Sequence, residues 1–113
     1  ILAKMDARLI VQVLINLIKN AKESCGQNTA PQIEVELEQV PGKVCSLTVR
    51  DNGEGILPEV IDKVFVPFFT TKPSGSGIGL SLCKQIMNLH GGTITVSSEI
   101  GKGSCFTLMF PGR

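Results

Sequence analysis

Ala7–Ser24, ARLIVQVLINLIKNAKES, is the stretch on which the architecture turns. Asp6 stands where an N-cap belongs, and neither Gly nor Pro interrupts the run, so one long helix is predicted over 7–24. Ile10, Leu14, Leu17, Ile18 and Ala21 recur at the i, i+4, i+7 spacing that gathers apolar side chains on one face. A helix with one apolar stripe needs a second layer to cover it, and the rest of the chain has to supply that layer.

Working outward, IEVELE at 33–38 and CSLTV at 45–49 alternate apolar and polar residues, with Val40-Pro41-Gly42-Lys43 between them. Ile33, Val35 and Leu37 point one way, as do Cys45, Leu47 and Val49, which predicts a hairpin with one buried face. From Asp51 to Gly79 the periodicity fails and Gly, Pro, Ser and Thr accumulate. A short helix fits within Pro58–Val64, because Pro suits a first turn. A second long helix is expected from about Gly77 to His90, where Gly91-Gly92 stops it. TITVSS at 93–98 and SCFTLMF at 104–110 close the chain as two strands joined around Gly101-Lys102-Gly103, with Phe106, Leu108 and Phe110 facing inward. Helix, hairpin, loop, helix, hairpin is the order of a two-layer α/β sandwich, expected as a single domain over residues 1–113.

The bulk properties narrow the function classes. The 113 residues are 42% apolar and 19% charged, which is a globular composition long enough for one modest core. A net charge of +1 gives no electrostatic case for nucleic acid or an anionic membrane. No apolar run approaches a bilayer span and no signal peptide opens the chain. The first residue, Ile1, suggests a fragment of something larger. Cys25, Cys45, Cys83 and Cys105 are widely spaced with no CxxC pair, so they are read as reduced core thiols of a cytoplasmic protein rather than metal ligands.

Several polar residues do not fit a plain scaffold. Asn16 and Asn20 lie four apart in mid-helix, on one face, where Asn is a poor helix former. They are either exposed amides or a pair of neutral oxygen donors for a hard cation or phosphate. Asp51-Asn52-Gly53-Glu54-Gly55 follows a strand. It is either a turn or a carboxylate set to accept the exocyclic amine of adenine, since a carboxylate only accepts hydrogen bonds. Gly75-Ser76-Gly77-Ile78-Gly79-Leu80 opens the second helix and offers backbone amides to an anion. It matches neither the dinucleotide fingerprint nor the Walker loop. Between these runs, Phe65-Val66-Pro67-Phe68-Phe69-Thr70-Thr71-Lys72-Pro73-Ser74 reads as a flap with an apolar anchor and a cationic tip, Lys72.

Taken in order, NLIKNAKES, DNGEG, FVPFFTTK, GSGIGL and GKGSCF resemble the N, G1, F and G2 boxes and closing glycine turn of sensor histidine kinases, over nearly the whole chain. The wider superfamily also holds type II topoisomerases, Hsp90 chaperones and MutL-type repair proteins. The resemblance implies a mixed, mostly antiparallel sheet covered on one face by about three helices. It implies ATP and Mg²⁺ as cofactors, with Asn20 a Mg²⁺ ligand and Asn16 at the phosphate–Mg²⁺ group. Asp51 would take the adenine amine, Gly53 and Gly55 would admit the base, and Gly75, Gly77 and Gly79 would shape a short lid with Leu80 beside the purine. Ile56, Phe69, Thr70, Thr71, Lys72, Ser76, Ile78 and Thr107 complete the implied nucleotide set, with Lys72 also counted as catalytic. The implied partners are a dimerisation and histidine phosphotransfer domain of the same protein and a response regulator.

Hydrolytic relatives carry a Glu four residues before the metal-binding Asn. Here that position is Asn16, an amide that cannot act as a base, which favours transfer over hydrolysis. Glu23 stands where many sensor kinases have a basic residue, and reads as an exposed helix acid. The sole histidine, His90, lacks the neighbours of a phosphoacceptor and reads as a helix cap. An ATPase, a Ser/Thr kinase or a decayed nucleotide-binding module are the rival readings.

Overall fold

The computed structural model describes residues 6–26, 29–39, 44–69 and 79–111. The first helix, α1, runs Ala7–Ser24 and is capped by Asp6, whose carboxylate accepts the Arg8 amide at 3.0 Å. Two strands follow, β1 (Ile33–Gln39) and β2 (Val44–Asp51), then a four-residue helix α2 (Pro58–Ile61) with Pro in its first turn. The second long helix, α3, covers Gly79–Leu89, and β3 (Thr93–Glu99) and β4 (Gly103–Pro111) end the fold.

α2 lies within the expected Pro58–Val64, and single turns replace the helical ladder after Ile61. α3 ends one residue earlier than expected. Gly91 takes the left-handed conformation at φ 69°, and the Gly92 amide returns to the Met87 carbonyl at 2.9 Å, which closes the helix end.

The strands form one sheet in the order β1-β2-β4-β3, and every described pairing is antiparallel. The mixed sheet implied by the resemblance is therefore purely antiparallel among the described residues. α1 and α3 pack side by side over β2, β4 and β3. Ile10, Val13, Leu17 and Ala21 of α1 and Cys83, Ile86 and Met87 of α3 meet Val49, Ile94, Phe106, Leu108 and Phe110 of the sheet.

β1 departs from expectation. Its inward residues keep register, Val35 opposite Val49 and Leu37 opposite Leu47, yet Val35 is 52% and Leu37 66% exposed. β1 is an edge strand: Ile33 packs against the core, while Val35 and Leu37 lie beyond the cover of the helices. Alternation sets which face a residue takes; how far the helices reach sets whether that face is covered.

Leu17→Ala should cost about 2–5 kcal/mol in a urea melt, and Leu37→Ser less than about 0.5 kcal/mol. Equal costs would mean that β1 is covered after all. The Arg8 backbone amide, chiefly, holds the Asp6 carboxyl below its ordinary value. A folded pKa below the unfolded one stabilises above the ordinary carboxylate range, and that contribution is lost as pH falls through the depressed value. The gap in urea midpoint between the unmodified chain and Asp6→Ala should accordingly be widest at neutral pH and shrink in acid.

Candidate functional site

The flank of α1 beside its core stripe carries Asn16 and Asn20, one turn apart and both half-buried. Asn16 accepts from the Gln12 amide at 3.2 Å and reaches the Gly79 carbonyl, in the first turn of α3, at 3.5 Å. Leu80, beside Gly79, is half-buried against the core. Asn16 thus ties this flank of α1 to the start of α3.

Asp51 ends β2 and is 6% exposed, with Oδ1 accepting the Gly53 amide at 2.9 Å. That bond uses one of about four acceptor positions on a carboxylate. Val49 and Asp51 share the inward face, so Asp51 lies at the helix-covered end of the sheet. Its partner across the β2–β4 register is Ser104, 5% exposed.

The two glycines after Asp51 have packing reasons. A Cβ on Gly53 would strike the Ser24 hydroxyl and come within 2.6 Å of the Ser24 carbonyl at the end of α1. Gly55 sits at φ 82°, where a Cβ would lie 2.5 Å from the Glu99 carbonyl. The turn is wedged between α1 and the β3–β4 connection. Asn52 braces the other side, bonding the Gln32 amide at 2.8 Å and the Ala30 carbonyl at 3.0 Å ahead of β1.

Ile56 is half-buried against the core, and its amide donates to the Ser98 hydroxyl at 2.8 Å. Phe69 is half-buried and its amide returns to the Val66 carbonyl at 3.2 Å. The apolar anchor of the flap is Phe65, edge-on to Phe106 at 6.3 Å and capped by the Lys84 ammonium 5.6 Å from its ring centre. Phe68 is instead 75% exposed and left-handed at φ 67°. Thr70, Thr71, Lys72, Gly75, Ser76, Gly77 and Ile78 lie outside the described residues.

Thr107 lies on the other face of the sheet from Asp51. Phe106 and Leu108 point into the core, so Thr107 between them points to the opposite face, level with Thr48 and Thr95 and away from both long helices. The same alternation turns Ser104 inward. Sequence reasoning missed Ser104 and Ser98, although the inward parity of Phe106 and Val96 already marks both. Glu23 is exposed.

His90 is held structurally: Nδ1 donates to the Ile86 carbonyl at 2.8 Å, and Nε2 accepts the Asp6 amide at 2.9 Å. Burial pushes the Cys83 thiol up to about 11, and all four cysteines are free. The described residues hold no cluster of three or more His, Cys, Asp or Glu that could cage a metal. The donors available are neutral amides, which fits Mg²⁺ held through one or two protein oxygens and completed by phosphates and water. Among the described residues, no helix is long and apolar enough to cross a membrane.

Residues 5–113 match the family described as histidine kinase-, DNA gyrase B-, and HSP90-like ATPase. Sensor histidine kinase ZraS of Escherichia coli strain K12 is 41% identical over 106 residues, covering 94% of this chain and 22% of that protein. Sporulation kinase D of Bacillus subtilis is 37% identical over 111 residues, covering 98% and 21%. Among solved structures, the mycobacterial sensor histidine kinase MprB superposes with a TM-score of 0.86 at 29% identity, covering 98% of this chain and 75% of that one. The catalytic domain of histidine kinase ThkA gives 0.84 at 36%, covering 97% and 71%. Full-length ShkA in complex with AMPPNP gives 0.79 at 25%, covering 93% and 22%.

The chain therefore belongs to the histidine kinase-, DNA gyrase B- and HSP90-like ATPases, and within them it is the catalytic ATP-binding domain of a histidine kinase. It spans about a fifth of the length of the curated relatives it matches.

Gly53→Ala forces either the turn or the end of α1 to move, so a loss of about 1–3 kcal/mol in chemical denaturation is expected. A neutral result would return Gly53 to a purely ligand-facing role.

Proposed function

We propose that this domain binds Mg-ATP in the crevice between α1 and the start of α3. It then transfers the γ-phosphate to a histidine on the dimerisation and phosphotransfer domain of its parent protein, with a response regulator downstream. The observation that carries this reading is the inward Asp51 carboxylate at the end of β2, on the side of the sheet where Asn16 ties α1 to the start of α3. AMPPNP bound to the related ShkA is consistent with a nucleotide in this kind of site.

In this reading Asp51 accepts the adenine amine, with Ile56, Phe69, Leu80 and the turn glycines Gly53 and Gly55 around the base. Asn20 would hold Mg²⁺ and Asn16 the phosphate side of the same group. Thr70, Thr71, Lys72 and the Gly75-to-Gly79 run, with Ser76 and Ile78, would line the phosphates. Mg²⁺, when bound, neutralises charge on the transferring phosphoryl group; the rest of the task is positioning. Asn16 offers no base to activate water, so the γ-phosphate is kept for a supplied nucleophile. The domain is one unit over residues 1–113 and works in the cytoplasm, with no contact to nucleic acid or to the bilayer.

Asp51→Asn keeps an Oδ1 for the Gly53 amide but loses the charge and one acceptor. Calorimetric titration should show Mg-ATP affinity reduced about tenfold or more, since hydrogen bonds to charged groups are the strong ones. With labelled ATP, the chain alone should stay unlabelled and a separately supplied helical phosphotransfer domain should gain label. Steady phosphate release without that domain would favour a hydrolase; full Mg-ATP affinity in Asp51→Asn would remove the assignment of the base pocket.

A further inference from the structure

Beneath Asp51 three hydroxyl and backbone groups converge on one side chain that the proposed function does not use. Ser98 Oγ accepts the Ile56 amide at 2.8 Å, donates to the Gly103 carbonyl at 2.8 Å, and lies 3.0 Å from Ser104 Oγ. A hydroxyl has one proton, and a carbonyl has none to give. The Ser98 proton is therefore spent on Gly103, and the proton between the two serines belongs to Ser104. Ser104 can turn only lone pairs toward Asp51, its neighbour across the β2–β4 register.

Two acceptors then stand side by side in a largely dry place. Such a pair disfavours any third acceptor, because an unmatched buried polar atom costs its full desolvation. It suits a group that presents two hydrogens, as an exocyclic amine does directly or through a water. A ring carbonyl oxygen in the same place meets lone pairs from both sides.

We propose that Ser98 is a positioning residue that fixes the direction of the Ser104 hydroxyl, and so makes the Asp51–Ser104 pair select a 6-amino purine nucleotide over a 6-oxo one. The inference rests on the reading of this crevice as a purine nucleotide pocket. Without Ser98, the Ser104 proton is released and can swing to donate to a 6-oxo group.

The test is the ratio of Mg-ATP to Mg-ITP affinity, measured by calorimetry on the 113-residue chain. Ser98→Ala should lower that ratio about tenfold, the scale of one net hydrogen bond, while Ser98→Thr, which keeps the hydroxyl, should restore it. Ser98→Cys, close in size but a poor hydrogen-bonding group, should lower the ratio in the same direction and serves if the alanine variant does not fold. In a Ser104→Ala background, Ser98→Cys should change the ratio no further. An unchanged ratio in folded Ser98→Ala or Ser98→Cys overturns the role of Ser98 while leaving the ATP pocket intact. Failure of the unmodified chain to bind ATP overturns both.

Discussion

No side chain fits between residue 53 and the end of α1. The Ser24 carbonyl is one of the last four of its helix, which have no partner inside the helix, and it accepts the Glu54 amide at 3.2 Å. On the other side of the same turn, the Glu54 carbonyl takes the Gly101 amide at 3.0 Å, and Gly55 lies flat against Glu99. One short turn therefore staples the C-terminus of α1 to β2 and to the β3–β4 connection. Because α1 is a rigid rod with its apolar stripe in the core, fixing its end fixes the amide flank relative to Asp51. The proposed site is made of elements far apart in sequence, and this contact sets their spacing.

Much of the fold was legible because its signals are local. α1 occupies the residues expected from Asp6 and the apolar stripe, and both hairpins fall where alternation put them. What sequence could not show was reach. Val35 and Leu37 obey alternation perfectly, and only the lateral extent of the helix layer leaves them in water. The glycine cluster after Asp51 was similarly ambiguous. Gly is demanded both by turns and by close ligand approach, and only the position of Ser24 shows that chain packing alone requires Gly53. Thr107 and Ser104 were legible in direction, since the alternation that sends Phe106 inward sends Thr107 outward and Ser104 in.

The residues that look most reactive are absorbed by the scaffold. His90 uses both ring nitrogens to tie the start of α1 to the end of α3, which requires the neutral ring protonated on Nδ1. That bond and the Asn16–Gly79 contact lie at opposite ends of an antiparallel helix pair, with the Cys83 thiol facing the Val13 carbonyl at 3.8 Å between them. With His90 and the thiols so occupied, the described residues leave the proposed site to amides, hydroxyls and the Asp51 carboxylate.

That donor set has an internal logic under the proposed function. Burying Asp51 costs desolvation, and a single backbone amide offsets only part of it. A domain of this size has little stability to spare, so a largely buried carboxylate with spare acceptor capacity is best explained by a ligand that completes it. On α1 the opposite choice is made. A carboxylate at position 16 would repel a triphosphate and could draw a proton from water, whereas the Asn16 amide does neither and still offers an oxygen to a cation and an N–H to an anion. Negative charge is placed where a base with N–H donors would sit and withheld where the phosphates would sit. That division suits a domain that holds ATP intact until a separate nucleophile arrives.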